Sequence, residues 1–545
     1  MKKHINKQIL LFIVLLPLTL NSCKKGWLDV NYNPLELTDL KATPDLVLPS
    51  LLESCIANKN TNKFLNQWMG YWSYFQNPPG FFEVTYFRIQ ASPNSATYSE
   101  PLQEILYLEQ RAHNMGQDFY EGIAKVIRAI HWSRSVDIIN NMPYSEAFNI
   151  SIRQPKYDSG RLIYEDLMVQ LDLASGLIKN ADLNKNTKLS LSDIMFHGDK
   201  LKWLKFINTL KLRLLVHQAN RTDRAAYIGT QISKIVAEGS GFLESGENAS
   251  VNPGYVLGKS LSKYFGLYSS HNQYGGGNFD AITQLASTYY AHANVFSMEM
   301  LKANEDPRLG FIYSTIDEEV PPGAPEPFTQ SAPLNFRGNT YGNYIDNIKY
   351  PYQNNTYVSA VGGSRNEDVV NPSSAGIIKG RNMDDWVLTS IESLFLQAEA
   401  IQRGWLPGNA DQAYQLAIQE SFRWLNVGGN SSNPSLSDDI FQSWYDAQVA
   451  AGNSQVSWAS APDKYKLLMI QKYHALNGID ASETYVDYRR NGRFPNIPAS
   501  LSPQRVGSTI PFRLLYNEQE YEFNQENVTA QGSIDVFTSK IWWMP

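Results

Sequence analysis

The chain has 545 residues, and its 47 lysines and arginines stand against 53 aspartates and glutamates, which gives a net charge of −6 at pH 7. This balance argues against a nucleic-acid partner, because phosphate binding needs a concentrated basic surface. Aromatic residues make up 12% of the chain. Many of them lie in segments rich in Asn, Gly, Ser and Pro, and core packing alone does not explain aromatic residues in such polar segments.

The first 22 residues have the form of an export signal. A lysine-rich start is followed by twelve mostly apolar residues over 9–20 and by the small Ser22 before Cys23. A membrane-spanning helix needs about 20 apolar residues, so we predict a signal peptide over 1–22 that is removed. The ending LNSC resembles a bacterial lipobox, in which the cysteine receives lipid. An ordinary secreted protein and a Cys23–Cys55 disulfide are the alternatives.

The rest of the chain, residues 23–545, offers no sign of subdivision. No charge block, Gly/Ser tract or simple repeat separates one part from another. We therefore predict a single large domain rather than the two to four that its length would ordinarily suggest.

Helical periodicity is the clearest structural signal, with apolar residues at helical spacing over 119–139, 162–178, 200–221, 387–403 and 411–425. The last two segments are separated by GWLPGN, so they predict a helical hairpin similar to a tetratricopeptide unit, with small Ala398 and Ala417 among bulky partners. Long loops are predicted over 241–280, 318–380 and 427–460. The expected fold class is mainly α, a tetratricopeptide-like scaffold of helical hairpins with long irregular ligand-binding loops.

Motifs of catalysis and metal binding are absent from the sequence. It contains no nucleophile elbow, no zinc-protease or P-loop pattern and no EF-hand loop, and its eight histidines are scattered. We therefore predict no catalytic residues, no metal and no cofactor.

Aromatic side chains in polar sequence are the candidates for ligand binding. The segment NQWMGYWSYFQNPPGFF, residues 66–82, holds Trp68, Trp72 and Tyr74 beside amide side chains. Flat rings flanked by amides suit a sugar, which has an apolar face and a rim of hydroxyls. The alternative is a buried helix over this segment, with its aromatic residues facing the core.

Two further segments combine tyrosine with Asn and Gly. YSSHNQYGGGNFD, residues 268–280, places Tyr274 on a glycine-rich stretch that can approach a ligand closely. NFRGNTYGNYIDNIKYPYQ, residues 335–353, contains Tyr341 and Tyr344. With the first segment they give six predicted ligand-binding residues: Trp68, Trp72, Tyr74, Tyr274, Tyr341 and Tyr344.

Several strings, in order along the chain, resemble the SusD/RagB lipoproteins. They include GWLDVNYNP (26–34), MPYSEAF (142–148), GDKLKWLKFINTLKLRL (198–214), SIESLFLQAEAIQRGW (390–405), IQKYHALNGIDASETYVDYRRNGRFP (470–495) and SKIWWMP (539–545). Within them we interpret Arg489-Arg490 and Trp542-Trp543 as structural. We interpret Asp306-Pro307-Arg308 as a turn that sets its arginine against a carboxylate.

This resemblance implies a function in nutrient uptake and polysaccharide utilisation. It implies an outer-membrane protein, lipid-anchored at Cys23 and facing the cell surface, that binds oligosaccharide and delivers it to a SusC-like TonB-dependent transporter. It implies no enzymatic activity. A peptide-binding member of the family, a carbohydrate-active enzyme and a purely structural lid on the transporter are the alternatives.

Overall fold

The computed structural model describes residues 42–61, 64–73, 82–88, 100–251, 292–316, 330–343, 358–359, 361–362, 376–377, 384–428 and 435–545. Helices dominate these ranges, which confirms the predicted mainly α fold. The described strands are only two to four residues long and pair two by two. Within the same ranges, no helix has both the length and the apolarity that crossing a bilayer requires.

The first half of the described chain contains nine α-helices: α1 (Pro44–Thr61), α2 (Leu65–Trp68), α3 (Phe82–Tyr86), α4 (Glu100–Asn114), α5 (Asp118–Ile139), α6 (Gly160–Asn180), α7 (Leu189–Ser192), α8 (Lys200–His217) and α9 (Ala225–Glu238). Its strands are β1 (Trp72–Ser73), β2 (Met142–Pro143), β3 (Tyr157–Asp158) and β4 (Ala249–Val251). Strand β2 pairs with β3 in antiparallel register.

The second half continues with β5 (His292–Ala293), α10 (Val295–Ala303), α11 (Leu309–Ile312), β6 (Asp385–Leu388), α12 (Ser390–Gln402), α13 (Ala410–Leu425), α14 (Ser435–Ala450), α15 (Lys464–Ala475), α16 (Ala481–Arg490), α17 (Glu518–Phe523) and α18 (Gln525–Thr529). Strands β4 and β6 pair antiparallel, as do β1 and β5.

The helices at 119–139, 162–178 and 411–425 are confirmed as α5, α6 and α13, and two predicted boundaries are wrong. Helix α8 ends at His217 instead of 221. The segment predicted as helix from 387 begins as strand β6, because the Thr389 side chain accepts a hydrogen bond from the Glu392 amide and so caps the helix at Ser390.

The predicted loop over 427–460 is also wrong in part, because it contains helix α14. This helix buries Phe441, Trp444, Tyr445 and Gln448, which lie at the spacing of one helical face. The polar residues between them obscured the pattern in the sequence.

Packing is centred on α5, a helix buried along nearly its whole length. It lies against α1, α4 and α6, and α6 in turn packs on α8. Helices α12 and α13 form the predicted hairpin, in which Ala398 and Ala417 are fully buried. Small side chains at these contacts let the two helix backbones approach closely.

A buried ionic network joins helices that are distant in sequence. Glu483 on α16 accepts hydrogen bonds from Arg213 and His217 on α8, each at 2.9 Å, and from Lys472 on α15, also at 2.9 Å. Burial disfavours the carboxylate, but Lys472, His217 and Arg213 together hold the pKa of Glu483 well below its usual value.

The motifs interpreted as structural are confirmed as such. Arg490 pairs with Glu399 at 2.6 Å inside the core, and Arg489 stacks over the Tyr485 ring at 3.6 Å while donating to backbone carbonyls. Arg308 pairs with Asp306 at 2.6 Å, also in the core. Trp543 is fully buried. These side chains hold the scaffold together.

Candidate functional site

A small strand pair joins the segment that contains Trp72 to the chain around Ala293. Strand β1 pairs antiparallel with β5, with Trp72 opposite Ala293 and Ser73 opposite His292. The Asn294 amide donates to the Tyr71 carbonyl at 3.0 Å, and the Asn294 side chain donates to the Trp72 carbonyl at 3.3 Å. The chain is therefore fixed on both sides of this pair.

A third stretch, residues 337–341, lies against the same pair. The Asn339 amide donates to the Ala293 carbonyl at 2.8 Å, and the Ala293 amide donates to the Ser359 carbonyl at 2.8 Å. Gly338 permits this approach, because a Cβ at that position would lie 2.6 Å from the Val295 backbone. We call the assembly of β1, β5, 337–341 and 358–359 the loop junction.

The loop junction contains or adjoins described residues that border, in sequence, the stretches with the predicted ligand-binding segments. Ser73 precedes residues 74–81, His292 follows residues 252–291, and Asn343 and Val358 border residues 344–357. Val251, at the other end of residues 252–291, belongs to β4, which pairs with β6 away from this junction.

Two of the predicted ligand-binding residues, Trp68 on α2 and Tyr341 in the loop junction, have their side chains inside the core. They are 1% and 4% exposed. Trp68 Nε1 donates to the Val84 carbonyl at 3.1 Å, and the Tyr341 hydroxyl donates to the same carbonyl at 2.9 Å. The Trp68 ring also meets Phe64 and Tyr485 edge to face. These contacts match the core-packing alternative for Trp68 and extend it to Tyr341.

Trp72 is 3% exposed, and its backbone belongs to β1. The buried helix considered for this segment is correct only in its first turn. Helix α2 ends at Trp68, and Gly70 follows with φ of +66°, a conformation that favours glycine and stops helical propagation. Trp72 consequently lies on a strand rather than one helical turn beyond Trp68.

The other predicted residues, Tyr74, Tyr274, Tyr344 and the lipid acceptor Cys23, lie outside the described residues. Their roles stay predictions. Cys55 is a free cysteine in the core, and burial raises the pKa of its thiol to about 12. Such a thiol behaves as a small apolar group.

The loop junction combines neutral polar groups with one arginine, Arg337, whose Nε donates to the Leu334 carbonyl at 2.9 Å. The Ser73 hydroxyl is buried there, and the Gln67 amide is buried on α2; neither has a hydrogen-bond partner among the described residues. Nearby, Lys302 is committed to the scaffold, because it donates to the Ser331 and Phe336 carbonyls at 2.9 and 2.8 Å. In the described part of the chain, no three His, Cys, Asp or Glu side chains are grouped so as to hold a metal ion.

Sequence reasoning missed the residues that organise the loop junction. Asn294 begins α10 by accepting a hydrogen bond from the Phe296 amide, and it also ties down β1. Ser359 accepts from the Arg337 amide through its hydroxyl at 3.0 Å. An asparagine before an apolar run is a helix-start signal that could have located Asn294. Nothing in the sequence pointed to Ser359.

Comparison with known proteins places the chain in a family. Residues 40–517 match the SusD-like family whose description reads "Starch-binding associating with outer membrane". No curated protein matches the chain.

Solved structures share its fold. A SusD homologue from Bacteroides fragilis superposes with a TM-score of 0.69 at 19% identity, covering 92% of this chain and 100% of its own. A SusD/RagB family protein from Bacteroides thetaiotaomicron gives 0.63 at 20% identity, covering 92% and 99%. A chitin-binding SusD homologue from Flavobacterium johnsoniae gives 0.64 at 17% identity, covering 90% and 98%. Because the family match spans most of the chain, this protein belongs to the SusD/RagB family of nutrient-binding proteins associated with the outer membrane.

Proposed function

We propose that this protein binds an oligosaccharide at the outer membrane and delivers it to a SusC-like TonB-dependent transporter. The observation that carries the proposal is the match over residues 40–517 to a family described as starch-binding. The chitin-binding relative of the same fold supports a glycan ligand. A transporter is required because a tethered binding protein cannot itself move solute through a bilayer.

The loop junction is compatible with a binding role for the tyrosine-bearing segments. Described residues that border these segments in sequence, among them Ser73 and His292, are held there by backbone hydrogen bonds. Rigid elements that position variable loops are a common way to build a binding site. We assign direct ligand contact to Tyr74, Tyr274 and Tyr344, whereas Trp68, Trp72 and Tyr341 support the junction from within the core.

Single replacement of Tyr74, Tyr274 or Tyr344 by alanine is expected to weaken oligosaccharide binding. Each lost ring should cost roughly 1–2 kcal/mol, or about five- to thirtyfold in affinity, if ring-stacking and interface values apply. Added salt should change the affinity little, since screening acts on charges. Calorimetric titration with malto- and chito-oligosaccharides measures both effects.

Tyr341→Phe is the matched control for this titration. It keeps the buried ring and removes only the hydroxyl that donates to the Val84 carbonyl. We expect a lower melting temperature, from a loss of about 1 kcal/mol, and unchanged affinity. If all three alanine variants keep full affinity, the site lies elsewhere. If the wild type binds peptides and no glycan, the peptide-binding alternative replaces this proposal.

Replacing Cys23 by alanine is expected to release the protein from membranes. We propose that signal residues 1–22 are removed, that two or more acyl chains anchor the protein through Cys23, since one chain binds only marginally, and that it faces the cell surface. A fatty-acid analogue should label the wild type and Cys55→Ala but not Cys23→Ala. An unlabelled wild type would contradict lipidation, and protease shaving of intact cells reports surface exposure.

A further inference from the structure

We propose that a cavity between helices α5, α6 and α8 binds one monatomic anion of the chloride class. The guanidinium groups of Arg134 and Arg213, which line this cavity, are the groups that would hold the anion. The site lies in the interior of the helical scaffold, separate from the loop junction. It is independent of the proposed glycan ligand and of the proposed lipid anchor.

The cavity is small and mostly apolar. It has a volume of about 10 Å³, which is room for one water-sized species. Five apolar side chains form most of its wall, among them Leu171 on α6 and Leu210 on α8. Its polar wall consists of Ser133 and Arg134 on α5 and Arg213 on α8. Sulfate, phosphate esters and sugars are too large for this space, so the ligand is a single atom or a water molecule.

Arg213 brings unused hydrogen-bond donors to this cavity. The residue is only 7% exposed. Its Nε donates to Glu483 at 2.9 Å and lies 3.4 Å from the Glu392 carboxylate. Within the described ranges, no hydrogen bond engages either of its Nη atoms, which carry four N–H groups. Buried donors without acceptors cost free energy, so an acceptor is expected at these atoms.

Arg134 adds a second positive charge to the same wall. It is 6% exposed, and its two Nη atoms donate to the Cys55 and Val387 carbonyls at 2.6 and 3.4 Å. These neutral carbonyls hold the guanidinium group in place without cancelling its charge. Burial, together with the charge of Arg213, lowers the pKa of Arg134, which shows that the two arginines repel each other.

None of the residues that line the cavity is acidic. Glu483 and Glu392 contact Arg213 at Nε. Glu483 also accepts hydrogen bonds from two other cationic side chains, and burial raises the pKa of Glu392 to about 7, so its carboxyl is only partly charged at neutral pH. Asp480, whose charge also acts on Arg134, accepts from backbone amides at the start of α16. The two guanidinium groups therefore present positive charge to the cavity.

A monatomic anion fits this wall better than water does. A buried water typically makes about three hydrogen bonds and needs acceptors for its own protons. Among the lining side chains only Ser133 Oγ can accept, and its own proton is donated to the Ile130 carbonyl at 3.1 Å. An anion accepts from Arg213 and needs no acceptor. It also reduces the repulsion between the two arginines.

Bromide tests the site directly, because it can replace chloride and is located by its anomalous scattering. Crystals of the lipid-free mature chain, residues 23–545 with Cys23→Ala, soaked in sodium bromide should show an anomalous peak in the cavity. This peak should lie within hydrogen-bonding distance of an Arg213 Nη atom. Crystals that carry bromide at surface sites but only a water in the cavity would overturn the proposal.

Thermal melts at constant ionic strength test the site in solution. Replacing sodium gluconate, whose anion is too large for the cavity, by sodium chloride should raise the melting temperature. The rise should be on the order of 1 °C for each tenfold increase in chloride above its dissociation constant. Excluded solutes such as gluconate stabilise proteins non-specifically, so without a chloride site the melting temperature should fall in this exchange.

Two variants should remove the response to chloride. Arg213→Lys keeps a positive charge beside Glu483 and removes the Nη atoms, and it should weaken chloride binding at least about tenfold. Ala129→Val fills the cavity with two further carbons and leaves every charge in place. Ala417→Val is the matched control: it crowds a buried alanine on α13 that does not line the cavity. Its response to chloride should equal that of the parent, whatever its own melting temperature.

The comparison of these results decides the proposal. An equal response to chloride in the parent and in both cavity variants would overturn it, because the response would then come from another site. A bromide peak in crystals without any rise in melting temperature in solution would mean an adventitious ion only, and would also overturn it. Oligosaccharide titration and Cys23 labelling test the proposed function separately, so either can fail without the other.

Discussion

Replacing Glu483 by alanine is expected to lower the free energy of unfolding by roughly 3–5 kcal/mol, which is the usual cost of removing one partner from a buried ion pair. Its two carboxylate oxygens accept from Arg213, His217 and Lys472. Without this carboxylate, each of the three cations loses one partner and keeps one: Glu392 for Arg213, Asp137 for His217 and Asp487 for Lys472. Urea unfolding measures this loss of stability as a lower urea concentration at the unfolding midpoint.

Glu526→Ala is the matched control for Glu483→Ala. Glu526 lies on the short helix α18 and is exposed, so its removal should change stability by no more than about 0.5 kcal/mol. A loss below about 1 kcal/mol in Glu483→Ala would mean that water or side-chain rearrangement compensates the cations, and that the network contributes little to stability.

The helices were largely predictable from sequence because their apolar residues follow a local rule. Leu167, Leu171 and Ala174 on α6 recur at helical spacing, and all three are buried. The hairpin was predictable for a similar reason, since GWLPGN cannot continue a helix. The exact helix boundaries were less predictable, because they depend on capping. The Thr389 cap starts α12 at Ser390 instead of 387, and the two residues before the cap belong to strand β6.

The loop junction could not be predicted because it depends on contacts between distant residues. Ser73 pairs with His292, and the Ala293 amide donates to the Ser359 carbonyl. No local pattern encodes such pairings. The role of Trp68 was likewise open, since an aromatic residue beside amides suits either a core or a sugar site. The indole N–H of Trp68 donates to the carbonyl of Val84, on another segment, and this contact holds the Trp68 ring in the core.

Stability is expected to fall as pH rises from about 6.5 to 9, because His217 is charged in the folded protein. Burial disfavours the imidazolium, but Glu483 and Asp137 outweigh it and raise the pKa of His217 from 6.5 to about 9. A raised pKa stabilises the fold fully below the unfolded value of 6.5, and this contribution is lost as pH passes the folded value. The loss should be on the order of 3 kcal/mol.

The buried carboxyl of Glu392 also makes a contribution to stability that falls with rising pH, at lower pH than that of His217. Burial, with the repulsion of Glu483, raises the pKa of Glu392 from 4.5 to about 7 against the attraction of Arg213. Between these values the folded protein keeps a proton that the unfolded chain releases, so the contribution of Glu392 to stability falls as pH rises. Burial lowers the pKa of His131 to about 3 and that of His474 to about 4, so these two imidazoles contribute with the opposite sign up to pH 6.5. Glu399 also acts in the opposite sense to Glu392: its pairing with Arg490 outweighs burial and lowers its pKa to about 2, and its contribution is lost in acid.

The variant His217→Gln separates the pH dependence of stability that comes from His217 from that of Glu392. Glutamine can still hydrogen-bond Glu483 and does not titrate, so the variant should be less stable than the wild type below pH 6.5. Its stability should stay flat from about pH 7, where the Glu392 contribution ends, to pH 9. Urea midpoints measured between pH 6 and 9 for the wild type and the variant check this expectation. If the stability of His217→Gln still falls between pH 7 and 9, another group causes the loss at alkaline pH, and His217 stays neutral beside Glu483 and Asp137.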